Sequence, residues 1–151
     1  MWNKRNCRCQ RRGVAAVEGA IILSALSLLL IGMLELSILL LNHTAMAEGA
    51  RRVARTAIVR GDRCNTAVEW GPGEITIAGN SDHPAAETLR EMLFTLNPAQ
   101  VQLQVRWLDN DNQAGDRVQV IVQHTHQPIV PAWGWNTGLV LRGSSTMQIA
   151  H

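Results

Sequence analysis

Hydrophobic and polar positions divide the chain into two parts. Residues 19–41 form a continuous apolar run with ten Leu and four Ile, and Glu35 is its only charged side chain. A helix over this run is about 35 Å long, which exceeds the roughly 30 Å hydrocarbon core of a bilayer. The rest of the chain, with one Phe and no Tyr in the whole sequence, has too little apolar mass to bury such a helix on all sides. The pattern predicts a membrane-spanning helix at residues 14–41.

The apolar pattern continues in another form after Leu41. Apolar residues recur at spacings of three and four positions, while arginines occupy the other faces. This predicts an amphipathic continuation of the helix over residues 42–60, ended by Gly61. Its apolar stripe needs a partner surface, most simply a sheet in its own domain. The stripe consists of Met46, Ala50, Val53, Ala54, Ala57 and Ile58.

Alternation of apolar and polar residues predicts strands in the second part of the chain. Ile121 breaks the alternation in one of them, and the Asp-, Asn- and Gly-rich residues 109–116 predict a long hairpin between two of them. The predicted strands are residues 74–78, 101–106, 118–123 and 144–149.

One further helix completes the prediction. Residues 84–96 carry a Leu and Met stripe, with Asp82 or Ser81 as the cap and Pro98 after the end. The predicted fold class is α+β: a long N-terminal transmembrane and amphipathic helix packed on a small antiparallel sheet of three or four strands. Residues 61–151 form its α+β domain.

Positive charge is concentrated at the N-terminus. Five of the 14 basic residues lie in residues 1–13, which contain no acid, and the remainder has 9 basic against 12 acidic residues. The basic character therefore belongs to the head and does not indicate nucleic-acid binding. A basic head favours retention in the cytoplasm, and long domains translocate largely regardless of the arginines that follow the apolar run. We expect the N-terminus inside and the C-terminus outside.

Cysteines and possible metal ligands give weaker signals. Cys7 and Cys9 lie in the head, so Cys64 alone remains beyond the apolar run, as an idle thiol or an intersubunit link. His124 and His126 share one strand face without a third convincing ligand, which favours satisfied surface histidines over a metal site. Residues 109–112 resemble the start of a calcium loop, but the following residues fail the pattern, and an ordinary polar hairpin is favoured.

The remaining residues suggest no chemistry of catalysis. No Ser, Cys or carboxylate constellation stands out, so we do not expect an enzyme, and we expect neither a cofactor nor a metal ion.

The head and the apolar run together resemble a known family. Residues 12–18 read RGVAAVE, the Leu-rich helix carries the second acid Glu35, and residues 47–60 are rich in Ala and Arg. These features resemble the TadE-like family, the minor pilins or pseudopilins of the tight-adherence (Flp-type) pilus, a branch of the type IV pilus systems. The closing strands, with residues 145–147, also resemble that family's tail. Family members commonly carry an aromatic residue after the first acid, where this chain has Gly19.

The resemblance implies a processing and assembly pathway. It implies that residues 1–13 are a basic cytoplasmic leader, which a prepilin peptidase would cut between Gly13 and Val14. The new amine of Val14 would then pair with Glu18 of an adjacent subunit and set the helix register. Glu35 has two interpretations, as a tolerated residue leaning toward the interface or as a polar contact with a neighbouring helix.

The same resemblance implies location and partners. It implies a single-pass protein of the bacterial inner membrane with a periplasmic C-terminal domain, and its incorporation into the pilus. The implied partners are the membrane, other pilins and pilus-assembly proteins, the prepilin peptidase, and further copies in a homo- or hetero-oligomer.

Two alternatives remain open. The first is an uncleaved, membrane-anchored periplasmic scaffold or binding protein. The second is a cleaved secretory signal, because residues 45–47 (Ala-Met-Ala) resemble a cleavage site. The apolar core of a signal peptide is usually about 7–15 residues long, which is shorter than the run seen here.

Overall fold

The computed structural model describes residues 6–60, 70–128 and 138–150, with the backbone alone for residues 6–12. The chain separates into two compact units, Met1–Ile38 and Leu39–His151. The fold class is α+β, as predicted, with a long N-terminal apolar helix and a four-stranded antiparallel sheet. In chain order the elements are α1 (Asn6–Ile58), β1 (Ile75–Ala78), α2 (Pro84–Arg90), a 3₁₀ turn (Pro98–Gln100), β2 (Val101–Trp107), β3 (Arg117–His126) and β4 (Leu139–Gln148).

The first unit is helical, and its apolar side chains are open to the surroundings. From residue 13 to residue 38 every side chain is exposed except that of Glu35, which is half-buried. Among the described residues, one helical stretch, Gly13–Ile58, is long and apolar enough to cross a membrane. Its most apolar 18-residue window has a mean hydropathy of 2.4 and is not buried at all. This agrees with the predicted membrane-length helix.

The second unit contains the sheet. Its strands lie in the order β1-β2-β3-β4, and every neighbouring pair is antiparallel. One row across the sheet pairs Ile77 with Leu103, Leu103 with Val122, and Val122 with Gly143. Because side chains alternate between the two faces of a strand, this row and every second row beside it form one inner face.

The amphipathic part of α1 supplies one side of the core. Its predicted stripe is confirmed: four of its members are completely buried, Ala57 is nearly so, and Ile58 is partly buried. The four are Met46, Ala50, Val53 and Ala54. They join the inner-face valines and leucines of β2 and β3 in a single hydrophobic cluster. The sheet therefore has the apolar cover that the sequence predicted.

Gly143 in β4 is where helix and sheet come closest. A Cβ atom at this position would lie 2.8 Å from the Met46 carbonyl carbon and 2.8 Å from the Ala47 backbone nitrogen. Real Cβ atoms essentially never approach other atoms this closely. The absence of a side chain at Gly143 thus lets the α1 backbone lie directly against the strand.

The helix α2 is shorter than predicted and has a different cap. It ends at Arg90, and the cap is His83, not Asp82 or Ser81, because the His83 Nδ1 accepts a hydrogen bond from the Ala85 backbone N–H at 3.1 Å. After Arg90 the chain makes only short turns, yet its apolar stripe still points inward: Leu93 and Leu96 are buried. The predicted buried positions were therefore correct, but the residues after Arg90 form turns and not a helix.

Three strands are longer than predicted: β2 by one residue, and β3 and β4 by several. The strand β3 includes both histidines, and β4 begins at Leu139, five residues before the predicted start. The early part of β4 escaped prediction because Arg142 and Gly143 interrupt the alternation. Ile149, predicted as strand, is buried just beyond β4.

Some predictions fall outside the described residues. This applies to Gly61, the predicted helix stop, and to Cys64. The α-helix itself ends at Ile58. Cys7 and Cys9 lie in the part of α1 for which the structure describes the backbone alone.

The cap residue His83 belongs to an aromatic contact. Its ring lies 5.1 Å from the buried Trp70 ring, and the Arg60 guanidinium lies 4.9 Å from the same Trp70 ring. Burial, with a further contribution from the charge of Arg60, lowers the pKa of His83 from its ordinary value of 6.5. The folded protein therefore favours the neutral imidazole, which is also the form whose Nδ1 can accept the cap hydrogen bond.

We predict that Gly143→Ala destabilises the second unit by about 1–3 kcal/mol, because the added methyl group meets helix backbone, which cannot rotate away. Thermal or denaturant unfolding of the purified protein in detergent measures the effect. Gly73→Ala is the matched control, since nothing lies within 4 Å of a Cβ there. Equal stability of the two variants would contradict the close contact.

We predict that stability decreases as the pH falls below 6.5, because the unfolded His83 then binds a proton more readily than the folded one. Replacing His83 by Asn keeps a good cap residue and removes this titration. Unfolding measured at pH 7.5 and pH 5 should show a smaller loss for His83→Asn than for the wild type, with the other histidines common to both. An identical loss would show that His83 contributes nothing.

Candidate functional site

The candidate site is the exposed surface of α1 between Gly13 and Ile38. Its large apolar side chains from Val14 to Leu36 are between 43% and 67% exposed. Monomeric soluble proteins rarely show a contiguous apolar surface of this extent. Such a helix needs lipid or other helices around it.

The serine hydroxyl groups within this surface form hydrogen bonds inside the helix itself. The hydroxyl groups of Ser24, Ser27 and Ser37 each donate a hydrogen bond to a backbone carbonyl three or four residues earlier, at 2.8–2.9 Å. This arrangement removes the cost of placing a hydroxyl group in an apolar medium. The serines are therefore compatible with a lipid or helix-packed environment.

Gly13 and Val14, the predicted cleavage position, both lie within α1. The space around Gly13 is open, with nothing within 4 Å of where a Cβ would be, and Val14 is 65% exposed. A protease could reach this position from the side, although the peptide bond between the two residues is held in a helix.

Glu18 lies one helical turn after Val14, and the two residues share a face because they are four positions apart. Its side chain is exposed, and it forms no hydrogen bond or ion pair with any other residue whose side chain the structure describes. It is also the only charged residue between positions 13 and 34. A carboxylate placed this way in an apolar surface is costly unless a cation from elsewhere meets it.

Glu35 differs from Glu18 in its surroundings. It is half-buried and already has an interaction within the chain. The two acids are 17 positions apart, which in an α-helix is about 25 Å along the axis and roughly 100° around it. The structure therefore does not bring them together, and they cannot act as one site on a single helix.

The two metal sites that the sequence raised as alternatives, at the histidines of β3 and at the 109–116 hairpin, do not form in the described part of the chain. His124 and His126 are buried on the inner face of the sheet, which corrects the expectation of surface histidines, and the His124 Nδ1 lies 3.3 Å from the Gln100 carbonyl oxygen. The pattern on β3 could have shown this, since both residues continue the inward positions of Val120 and Val122. No group of three potential metal ligands occurs among the described residues.

The hairpin at residues 109–116 is held by its own polar groups. Asp109 accepts three hydrogen bonds from the side chain and backbone of Arg117, at 2.7–3.2 Å, and these bonds lower the pKa of the Asp109 carboxyl group. Asn112 is buried, where it accepts from the Trp107 indole and donates to the Trp70 carbonyl. These contacts are those of a structural hairpin.

Comparison with known proteins finds a family match that lies within α1. Residues 13–55 match the model of the family described as TadE-like protein, which confirms the resemblance found in the sequence. The match covers less than a third of the chain, and it includes Val14, Glu18, Glu35 and most of the amphipathic stripe. No curated protein and no solved structure matches the chain. The family indicates a pilin-like protein associated with the Tad pilus.

Proposed function

We propose that the protein is a minor pilin or pseudopilin that takes part in the assembly or initiation of a tight-adherence pilus. The observation that carries the proposal is the family match over α1, combined with the position of Glu18 as the only charged residue between positions 13 and 34 of an exposed apolar helix. The described part of the second unit supplies a folded body outside the membrane, and the helix supplies the surface through which subunits would pack.

The proposed location is the bacterial inner membrane, with residues 1–13 in the cytoplasm and the second unit in the periplasm. The five basic residues of the head support this orientation. The apolar run would hold the subunit in the membrane until assembly. In a filament, neighbouring helices would replace the lipid around it.

Cleavage between Gly13 and Val14 would create a cation that could pair with Glu18, which has no partner among the side chains that the structure describes. In the uncut chain the nitrogen of Val14 is an uncharged peptide group. After the cut it becomes an α-amino group, whose ordinary pKa of about 7.7–8.0 leaves it mostly protonated at neutral pH. Processing would thus supply a cation at the same end of the helix as the acid.

Pairing of that amine with Glu18 of an adjacent subunit would specify helix register. A buried charge without a partner is strongly unfavourable, so axial positions that leave either group unpaired are disfavoured. Apolar side chains alone would allow the helices to slide, because the Leu-rich surface is similar along its length. The pair therefore contributes specificity in addition to any stabilisation.

A second candidate function is a permanently anchored periplasmic scaffold or binding protein. The observation that favours it is that the Gly13 and Val14 positions lie inside a continuous helix, with Gly19 after the acid where the family commonly has an aromatic residue. The two candidates differ in the chemical state of the N-terminus.

We predict that the protein extracted from membranes of its own host begins at Val14. N-terminal sequencing or intact mass measures this directly. Gly13→Leu should block processing without disturbing the fold, since the space around Gly13 is open. An intact Met1 in the wild type would favour the anchored scaffold, and a start near Glu48 would show a cleaved secretory signal.

We predict that Glu18→Gln leaves membrane insertion unchanged and reduces coassembly with the major pilin several-fold. Loss of the charge makes the helix easier to insert, by up to about 2–3 kcal/mol on insertion scales, but it removes the partner of the Val14 amine. The measurement compares the amount of protein that copurifies with the major pilin with the amount in the membrane. Ser24→Ala, on the same helix, is the control. Normal coassembly of Glu18→Gln would rule out the register role.

A further inference from the structure

Phe94 is an unusual surface residue. It is the only Phe of the chain, and its side chain is 76% exposed, which is more than any other large apolar side chain of the described residues. Burial of the ring would be favourable, in proportion to the apolar area removed from water. A single exposed apolar side chain is common on protein surfaces, so the position of Phe94 in the fold decides whether it has a partner.

The loop that carries Phe94 is fixed to the second unit on both sides of the ring. Leu93 and Leu96 are buried in the core, 4% and 9% exposed. The hydroxyl group of Thr95 donates a hydrogen bond to the side chain of Asn42 at 2.8 Å, and Asn42 is itself only 3% exposed. Phe94 therefore points outward from a well-anchored segment.

Asn42 locates this loop along α1. It is the first residue after the apolar run at residues 19–41. If that run crosses the bilayer, the outer boundary of the hydrocarbon core lies next to Asn42. Thr95, which is hydrogen-bonded to Asn42, directly follows Phe94 in the chain, and consecutive Cα atoms are about 3.8 Å apart. The backbone of the loop at Phe94 is thus close to the level of this boundary.

We propose that Phe94 inserts into the lipid headgroup region of the outer leaflet and that the second unit contacts the membrane surface through this loop. The inference rests on the proposed membrane insertion of residues 14–41. Trp and Tyr are the aromatic residues enriched at this depth of a bilayer. Phe has no polar group, but membrane-surface helices also bury Phe at the boundary between headgroups and acyl chains.

The composition of the neighbouring surface favours lipid over a protein partner. The exposed side chains beside Phe94 in the loop are polar, namely Glu91, Thr95 and Asn97. A stable protein interface needs a larger area with a buried apolar centre, which a single ring does not provide. A headgroup layer accommodates one ring among polar groups. The attachment would hold the second unit against the membrane at a second point besides α1.

The test uses the full chain with its three cysteines replaced by serine and the substitution Phe94→Cys, at which a nitroxide label is attached. The protein is reconstituted in vesicles of phosphatidylethanolamine and phosphatidylglycerol. Collision of the label with oxygen, which partitions into lipid, is compared with collision with a water-soluble nickel chelate. The exposure of Phe94 makes the substitution tolerable for folding.

Two further label positions serve as references. Leu29 lies within the apolar run. Leu108 is an exposed apolar residue at the opposite end of the second unit. Backbone hydrogen bonds join Leu108 to Arg117, and join the neighbouring Asp116 to Ile149. Ala150, which follows Ile149, donates a backbone hydrogen bond to Ile58 at the end of α1. Ile58 is 16 residues from Asn42, or about 24 Å along the helix.

We expect the ratio of oxygen to nickel collisions at position 94 to be several-fold higher than at 108 and closer to that at 29. A ratio at 94 equal to that at 108, with 29 in lipid, would overturn the inference while leaving membrane insertion intact. Protection of 94 from both reagents would overturn it in favour of a protein contact. A water-exposed label at 29 would overturn both the insertion of the helix and the inference.

Discussion

The direct contact between the α1 backbone and β4 at Gly143 is the constraint on which the second unit depends. With no side chain in the way, the helix at Met46 and Ala47 lies close enough to the strand for its small residues to complete the core. Alanines at positions 50, 54 and 57 suit this short separation, because a larger residue would push the helix away. The sheet is covered by a helix segment that is continuous with the apolar run.

This continuity explains why one helix carries two kinds of surface. Before Leu39 its apolar side chains surround the helix on all sides and are exposed, and after Asn42 one face is buried against the sheet while arginines occupy the others. The first pattern suits a medium of lipid or other helices, and the second suits the edge of a folded unit in water. A subunit stored in a membrane and later packed among like helices requires both, which is why the proposed pilin role follows from α1 more than from the sheet.

Sequence reasoning succeeded where one periodicity determined the structure and failed where single contacts did. The alternation in β2 and the 3.6-residue spacing of the stripe from Met46 to Ala57 were sufficient to predict a strand and a buried helix face, because burial on one face produces those patterns. The cap at His83 was missed because Asp and Ser are the more usual cap residues, whereas here the helix begins at Pro84 and the His83 Nδ1 accepts the hydrogen bond from Ala85. The start of β4 was missed because position 143 is a glycine, which the close contact with the α1 backbone requires, and a glycine interrupts the apolar and polar alternation of a strand. The role of Glu18 stays a prediction, since it concerns a pairing with another subunit.

The claim that the amphipathic part of α1 is an integral part of the sheet's core is tested most directly by comparing two soluble fragments. A fragment from Asn42 to the C-terminus retains the buried stripe, and a fragment beginning after Gly61 loses it, exposing an apolar sheet face whose burial is worth about 25 cal/mol per Å². The account predicts a cooperative thermal transition for the longer fragment, and aggregation or a far lower melting temperature for the shorter one. Equal stability of the two would mean that the helix does not pack on the sheet.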